Sequence, residues 1–138
     1  MIELTVKQFM QTQLPTIMLS TELSQAITLL EKSNLTSSPV VDSNNTVVGF
    51  ITHHELLKPL LHASYHCDAS LTVQDVLSSH QPVSVKTDDR LVDIAQQMLA
   101  SKPKSYPVLD SKQKLAGIIT RAHVVKALAG AYNQCHYI

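Results

Sequence analysis

The chain is written twice, and this constrains its fold more than any other feature. Ser38-Pro39-Val40-Val41-Asp42 is echoed by Tyr106-Pro107-Val108-Leu109-Asp110, and the two prolines lie 68 residues apart. Gly49-Phe50-Ile51-Thr52 is echoed by Gly117-Ile118-Ile119-Thr120 at the same separation of 68. Upstream, Val6, Phe9 and Met10 correspond to Val73, Val76 and Leu77, and Pro15 to Pro82, at a separation of 67, so one residue is inserted between Pro82 and Leu91. Two units in frame with a single slip mark a duplicated fold. Each unit alone is below the size that readily makes its own core, so the two are expected to pack face to face.

Within the first copy, Pro15 to Leu19 reads as a short extended segment. Leu23, Ala26, Ile27 and Leu30 recur at helical spacing, which predicts a helix within residues 21–34 capped by Ser20 or Thr21. Pro39 to Val41 and Val47 to Ile51 read as a hairpin around Asp42-Ser43-Asn44-Asn45, where Asp and Asn suit a turn. Thr52 followed three residues later by Glu55 is a capping-box pattern opening a helix with Leu56, Leu57, Leu60 and Leu61. Pro59 should remove a hydrogen bond and bend that helix. The second copy repeats the order. It has a helical lead-in over Thr72 to Leu77, a strand over Val83 to Val85, and a helix capped by Asp88 with Leu91, Ile94, Ala95, Met98 and Leu99 on its stripe. A hairpin over Tyr106 to Leu109 and Leu115 to Ile119 follows, then a helix from Arg121 to Leu128 stopped at Gly130. Residues 63–71 link the copies. The expected domains are 1–66, 67–130 and a patternless tail over 131–138.

These motifs resemble the cystathionine-beta-synthase (CBS) domain pair, the Bateman module. The resemblance covers residues 6–129. It rests on two in-frame copies of the apolar-Pro-Val-apolar-Asp strand and the Gly-x-x-Thr turn into a helix. It implies an α+β fold, β-α-β-β-α repeated, with the copies packed through their sheets about a pseudo-twofold axis. It further implies a cleft between the copies for an adenosine-containing ligand such as AMP, ADP, ATP or S-adenosylmethionine. Homodimers, and regulation of a separate enzyme or transporter, are also implied.

Carried over by motif position, the ligand residues in the second copy are Ser84, Lys104, Ser105, Tyr106, Thr120, Arg121 and His123. In the first copy they are Ser38, Thr52 and Glu55. A helix N-terminus beside Thr120, with Arg121 and Lys104, suits a phosphate. The first copy has no Lys or Arg at the matching positions, so the second is the better phosphate site. Nucleotide-binding members of the family usually carry Asp three residues after the Thr, where it holds both ribose hydroxyls. This chain has Glu55 and His123 there, and an imidazole offers at best one acceptor. Two readings from other classes therefore stand beside ligand sensing. One is a ligand-free dimerisation or scaffold module, and the other a metal- or pH-responsive switch built on His62 and His66. That histidine pair, near Cys67 and Asp68, lies on one face only if the helix survives Pro59, and no metal site is assigned to it.

Composition narrows the classes. Lys plus Arg and Asp plus Glu each number 11, so there is no cationic excess for nucleic acid. A hydrophobic share of 44% supports a real core, and such chains are not disordered. Cys67 and Cys135 form no CxxC pair, which suits a reducing compartment. There is no secretory pattern at the start and no apolar run near the roughly 18 residues that span a bilayer. A cytoplasmic protein without membrane or nucleic-acid partners is expected. A nucleophile elbow, HExxH and P-loop are all missing, and Cys67 beside His66 is adjacency without contact geometry. The expectation is a binding module, not an enzyme, with no cofactor assigned beyond the adenine nucleotide that the resemblance implies.

Overall fold

A computed structural model describes residues 3–66, 70–77, 82–100 and 105–136. The elements run α1 (Val6–Phe9), α2 (Leu23–Lys32), β1 (Ser37–Val41), β2 (Val47–Thr52) and α3 (His53–His66), then α4 (Val73–Val76), β3 (Val85–Lys86), α5 (Leu91–Ala100), β4 (Ser105–Leu109), β5 (Leu115–Thr120) and α6 (Arg121–His136). β1 and β2 pair antiparallel, as do β4 and β5, while β3 adds in parallel to β4. The counterpart of β3 in the first copy is not a strand, but it is held to β1 by a bond from Val41 N–H to Ile17 O (2.9 Å).

Both hairpins close by one device. Asp42 Oδ1 accepts the N–H groups of Asn44 and Thr46 at 2.9 and 3.0 Å, and Asp110 Oδ1 accepts those of Lys112 and Lys114 at 2.8 and 3.0 Å. Asn45 and Gln113 take the left-handed backbone, with φ of 60° and 64°. The Asp that ends each repeated strand motif is therefore a turn-former. Helix α2 stops on a Schellman motif. Asn34 lies at φ 55°, and its N–H reaches Glu31 O while Leu35 N–H reaches Leu30 O at 3.0 Å.

The chain divides into two compact units that do not follow the repeat boundaries. One comprises Gln13–Pro82 and the other Met1–Thr12 with Val83–Ile138. Each lead-in helix thus belongs with the other copy: α1 lies in the second unit and α4 in the first. Val6 and Val73 are fully buried there. In the second unit Val6 joins Val85, Leu91, Ile94, Tyr106, Val108 and Ile119 in one core. The first unit buries Ile17, Leu23, Ala26, Leu30, Val40, Ile51 and Leu56. Each Val, Leu or Ile among them taken from water stabilises by roughly 1.5–3 kcal/mol.

The exchange corrects the predicted caps. The first helical N–H of α2 is accepted by Leu71 O and that of α5 by Leu4 O, both at 2.8 Å. Backbone from the swapped lead-in does what a capping side chain does elsewhere. Thr21 and Asp89 turn backwards instead, accepting Met18 N–H and Lys86 N–H at 2.9 Å. Neither Ser20, Thr21 nor Asp88 caps a helix; the α2 N-cap is Glu22, with no side-chain bond. Other expectations also shift. The β3 strand is Val85–Lys86, not Val83 to Val85. Leu99 is 88% exposed, because it falls about 80° from Leu91 on the helical wheel. Leu57 and Leu61 are exposed beside a buried Leu56. Helix α3 continues through Pro59 to His66. Helix α6 runs through Gly130 to His136, so residues 131–136 of the expected tail are helical, and no glycine has positive φ.

The glycines rank by what a Cβ would meet. At Gly117 it would lie 2.5 Å from Gln11 O and 3.1 Å from Met10 Sδ, because Gln11 exchanges two 2.9 Å backbone bonds with Ile118. At Gly49 the nearest atom is Leu77 Cδ1 at 2.7 Å, the end of a side chain that can turn away, and Gly130 meets nothing. In urea unfolding, Gly117→Ala is expected to destabilise by about 2–3 kcal/mol and Gly49→Ala by about 1. Gly130→Ala should stabilise by about 0.5–1 kcal/mol, since glycine weakens a helix interior.

Candidate functional site

In the second unit, Ser105 at the start of β4 faces Thr120 at the end of β5 in the strand register. Ser84 immediately precedes Val85, which pairs with Val108. Because α6 begins at Arg121, Ser84, Ser105, Thr120, Arg121 and His123 collect where β3 and β4 begin and β5 finishes. Ser84 and Arg121 are exposed, while Ser105, Thr120 and His123 are half-buried. The ring of Tyr106 is 2% exposed and belongs to the core, so it does not join them. Lys104 lies outside the described residues. An apolar groove of about 910 Å³ between α1 and α6, lined by Leu4, Phe9, Ala127, Ala131 and Cys135, contains none of this set.

The start of α6 carries an imidazole version of the capping box. Thr120 N–H donates to His123 Nδ1 at 3.1 Å, and His123 N–H donates to Thr120 Oγ1 at 3.3 Å. With Nδ1 accepting, the neutral ring carries its proton on Nε2, which is left as a donor. Burial pushes the His123 imidazole below its ordinary pKa of 6.5, and the ammonium of Lys126 one helical turn on adds to this.

The first unit caps α3 with the equivalent threonine but engages a carboxylate through the hydroxyl and not through the Thr52 N–H. Glu55 N–H donates to Thr52 Oγ1 at 3.2 Å, and the Thr52 hydroxyl donates to Glu55 Oε1 at 3.3 Å. Ser38 is fully buried, with its hydroxyl on Pro39 O at 3.2 Å, so it is part of the interior. Thr52 and Glu55 therefore come together and Ser38 does not join them. Among the described residues no three His, Cys, Asp or Glu side chains converge on a metal position, and no helix is long and apolar enough to cross a membrane.

The capping role of His123 carries a pH signature. A base whose folded pKa is lowered favours the folded state fully above its unfolded value of 6.5, and the favour is lost as pH falls through the folded value. Urea stability should therefore begin to decline as pH falls below about 6.5. His123→Gln keeps a capping acceptor without titrating, and should flatten that part of the profile.

Comparison with known proteins places this architecture. The CBS domain sequence profile matches residues 6–62 and again 73–130. The chain is 30% identical to the CBS domain-containing protein CBSX1, chloroplastic, of Arabidopsis thaliana, covering 89% of this chain and 63% of that protein. It is 29% identical to CBSX2, chloroplastic, of the same plant, over 78% of this chain and 56% of the relative. It thus spans about three fifths of the length of these relatives. The crystal structure of CBSX2 in complex with AMP superposes with a TM-score of 0.77 and 32% identity, over 93% of this chain and 98% of that one. With the profile matched twice across most of its length, the chain belongs to the CBS domain family and carries the domain as a tandem pair.

Proposed function

We propose that this protein is a regulatory module that binds an adenosine-type nucleotide, and that it is not a catalyst. The observation that carries this reading is the sheet end in the second unit, where Ser105, Thr120 and the first turn of α6 meet beside an exposed Arg121. The guanidinium forms no ion pair with a described residue. A helix N-terminus next to an uncommitted guanidinium attracts phosphate oxygens. The AMP complex of CBSX2 supports AMP as the first candidate. The first unit has His53 where the second has Arg121 and Glu55 where the second has His123, so the phosphate is assigned to the second. Lys104 is proposed to add a second cation.

His123 alters how a nucleoside is read here. Its Nδ1 is held by Thr120 N–H and its Nε2–H can only donate, so the residue gives one hydrogen bond to one ribose oxygen. Glu55 retains a free carboxylate oxygen beyond its bond to Thr52. A partner enzyme or transporter, where one exists, is proposed to be a separate chain or a further part of a longer one.

A second reading, ligand-free dimerisation, is favoured by a matched pair of apolar faces. Leu57, Leu61 and Tyr65 of α3 are 68%, 63% and 80% exposed, and Val125 and Tyr132 of α6 are 60% and 64% exposed. Helices with such faces associate to cover them, and the two readings are compatible in a nucleotide-binding homodimer.

Calorimetry with AMP, ADP, ATP and S-adenosylmethionine tests the first reading. Saturable binding of at least one is expected. At a hundredfold excess over its Kd that ligand stabilises the fold by about 2.7 kcal/mol. Arg121→Ala should weaken it by roughly ten- to hundredfold, as loss of a charge-assisted hydrogen bond implies. No heat and no thermal shift with folded protein at millimolar ligand would reject nucleotide binding and leave dimerisation, read by light scattering.

A further inference from the structure

The persistence of α3 beyond Pro59 has a chemical consequence at its C-terminal end. His62 and His66 are four residues apart, so an unbroken helix sets them one turn apart on the same face. Their ring centres are 4.5 Å apart and the ring planes are inclined by 44°. Both side chains are exposed, and neither ring is held by a hydrogen bond or ion pair to a described residue. An inclination of 44° is neither the offset stack nor the edge-to-face arrangement that ring attraction favours.

The spacing does fit two imidazoles sharing one ion. A nitrogen about 2.0–2.1 Å from a transition metal places the ion about 3.2 Å from its own ring centre, so rings at 90–109° about the ion are centred about 4.5–5.2 Å apart. We propose that His62 and His66 form a two-imidazole site for a divalent transition-metal ion of the Zn²⁺, Ni²⁺ or Cu²⁺ class. Mg²⁺ and Ca²⁺ are excluded by donor type, since they take oxygen ligands. Among the described residues no third His, Cys, Asp or Glu joins the pair, so the two imidazoles are the ligands the proposal assigns.

The clip has a mechanical effect. Pro59 has no N–H to give the carbonyl of Glu55, so the ladder of α3 lacks one rung at its middle. An ion bridging His62 and His66 ties the last turns together just beyond that gap. The pair shares its helix with the exposed Leu57, Leu61 and Tyr65, so the ion would rigidify an apolar face.

The test is a titration of the full chain with Zn²⁺ by calorimetry and with Cu²⁺ by electron paramagnetic resonance, where bound imidazole nitrogens give resolved coupling. One Zn²⁺ per chain is expected. His62→Ala and His66→Ala should each weaken it by roughly tenfold or more, while His54→Ala leaves it unchanged. In the unmodified protein, Zn²⁺ should shift the ring proton resonances of His62 and His66 together, which needs no variant. Wild-type affinity in either His62→Ala or His66→Ala, or no saturable Zn²⁺ binding below about 1 mM, overturns the proposal.

Discussion

The first N–H groups of a helix have no partner within it, and in this protein the two core helices obtain theirs from the opposite copy's lead-in. Leu71 O serves Leu23 and Leu4 O serves Leu91, while Val73 and Val6 donate back to Thr21 O and Asp89 O. This reciprocal backbone pairing, together with burial of Val6 and Val73, fixes where each short helix ends up. Four-residue helices such as α1 and α4 have no stability of their own, so their position depends wholly on these contacts. The small residue in each Gly-x-x-Thr motif follows from the same arrangement. The segment after the swapped helix passes against β2 or β5 so closely that Leu77 or the Gln11 carbonyl occupies the space of a Cβ.

The exchange also frees chemistry at the opposite end of each sheet. Thr52 and Thr120 end their strands and begin α3 and α6 through side-chain capping, and the first N–H of α3, that of His53, goes to Thr36 O within its own copy. The residue three positions on is committed to the cap, as a carboxylate in one copy and an imidazole in the other. The same scaffold therefore presents an acceptor-rich turn in the first unit and a donor-rich turn in the second. Asymmetry between two copies of one fold is chemical here, with little change in backbone.

Helices α3 and α6 carry apolar side chains that the units do not bury. Leu57, Leu61, Val125 and Tyr132 lie more than half exposed, although hydropathy alone counts them as core. In α5 the same error arises at Leu99. Periodicity identifies the stripe, but whether its flank meets protein or solvent depends on which neighbour lies alongside.

The sequence by itself determined the local structure and the duplication. Asp42 and Asp110 close their hairpins, Thr52 caps α3 by accepting from Glu55 N–H, Leu23, Ala26 and Leu30 form a buried stripe, and the repeat spacing marks two CBS domains, because each is carried by local sequence motifs. The site was legible as residue types, with Thr120, Arg121 and His123 at one helix start, but the burial of Tyr106 and Ser38 was not. Only tertiary structure decided that α1 and α4 trade places, that backbone replaces Thr21 and Asp88 as helix caps, and that α3 and α6 run on through Pro59 and Gly130. Local propensity scores a residue against its sequence neighbours, whereas the exchange of lead-ins and the helix caps turn on hydrogen bonds and packing supplied from about fifty to ninety residues away.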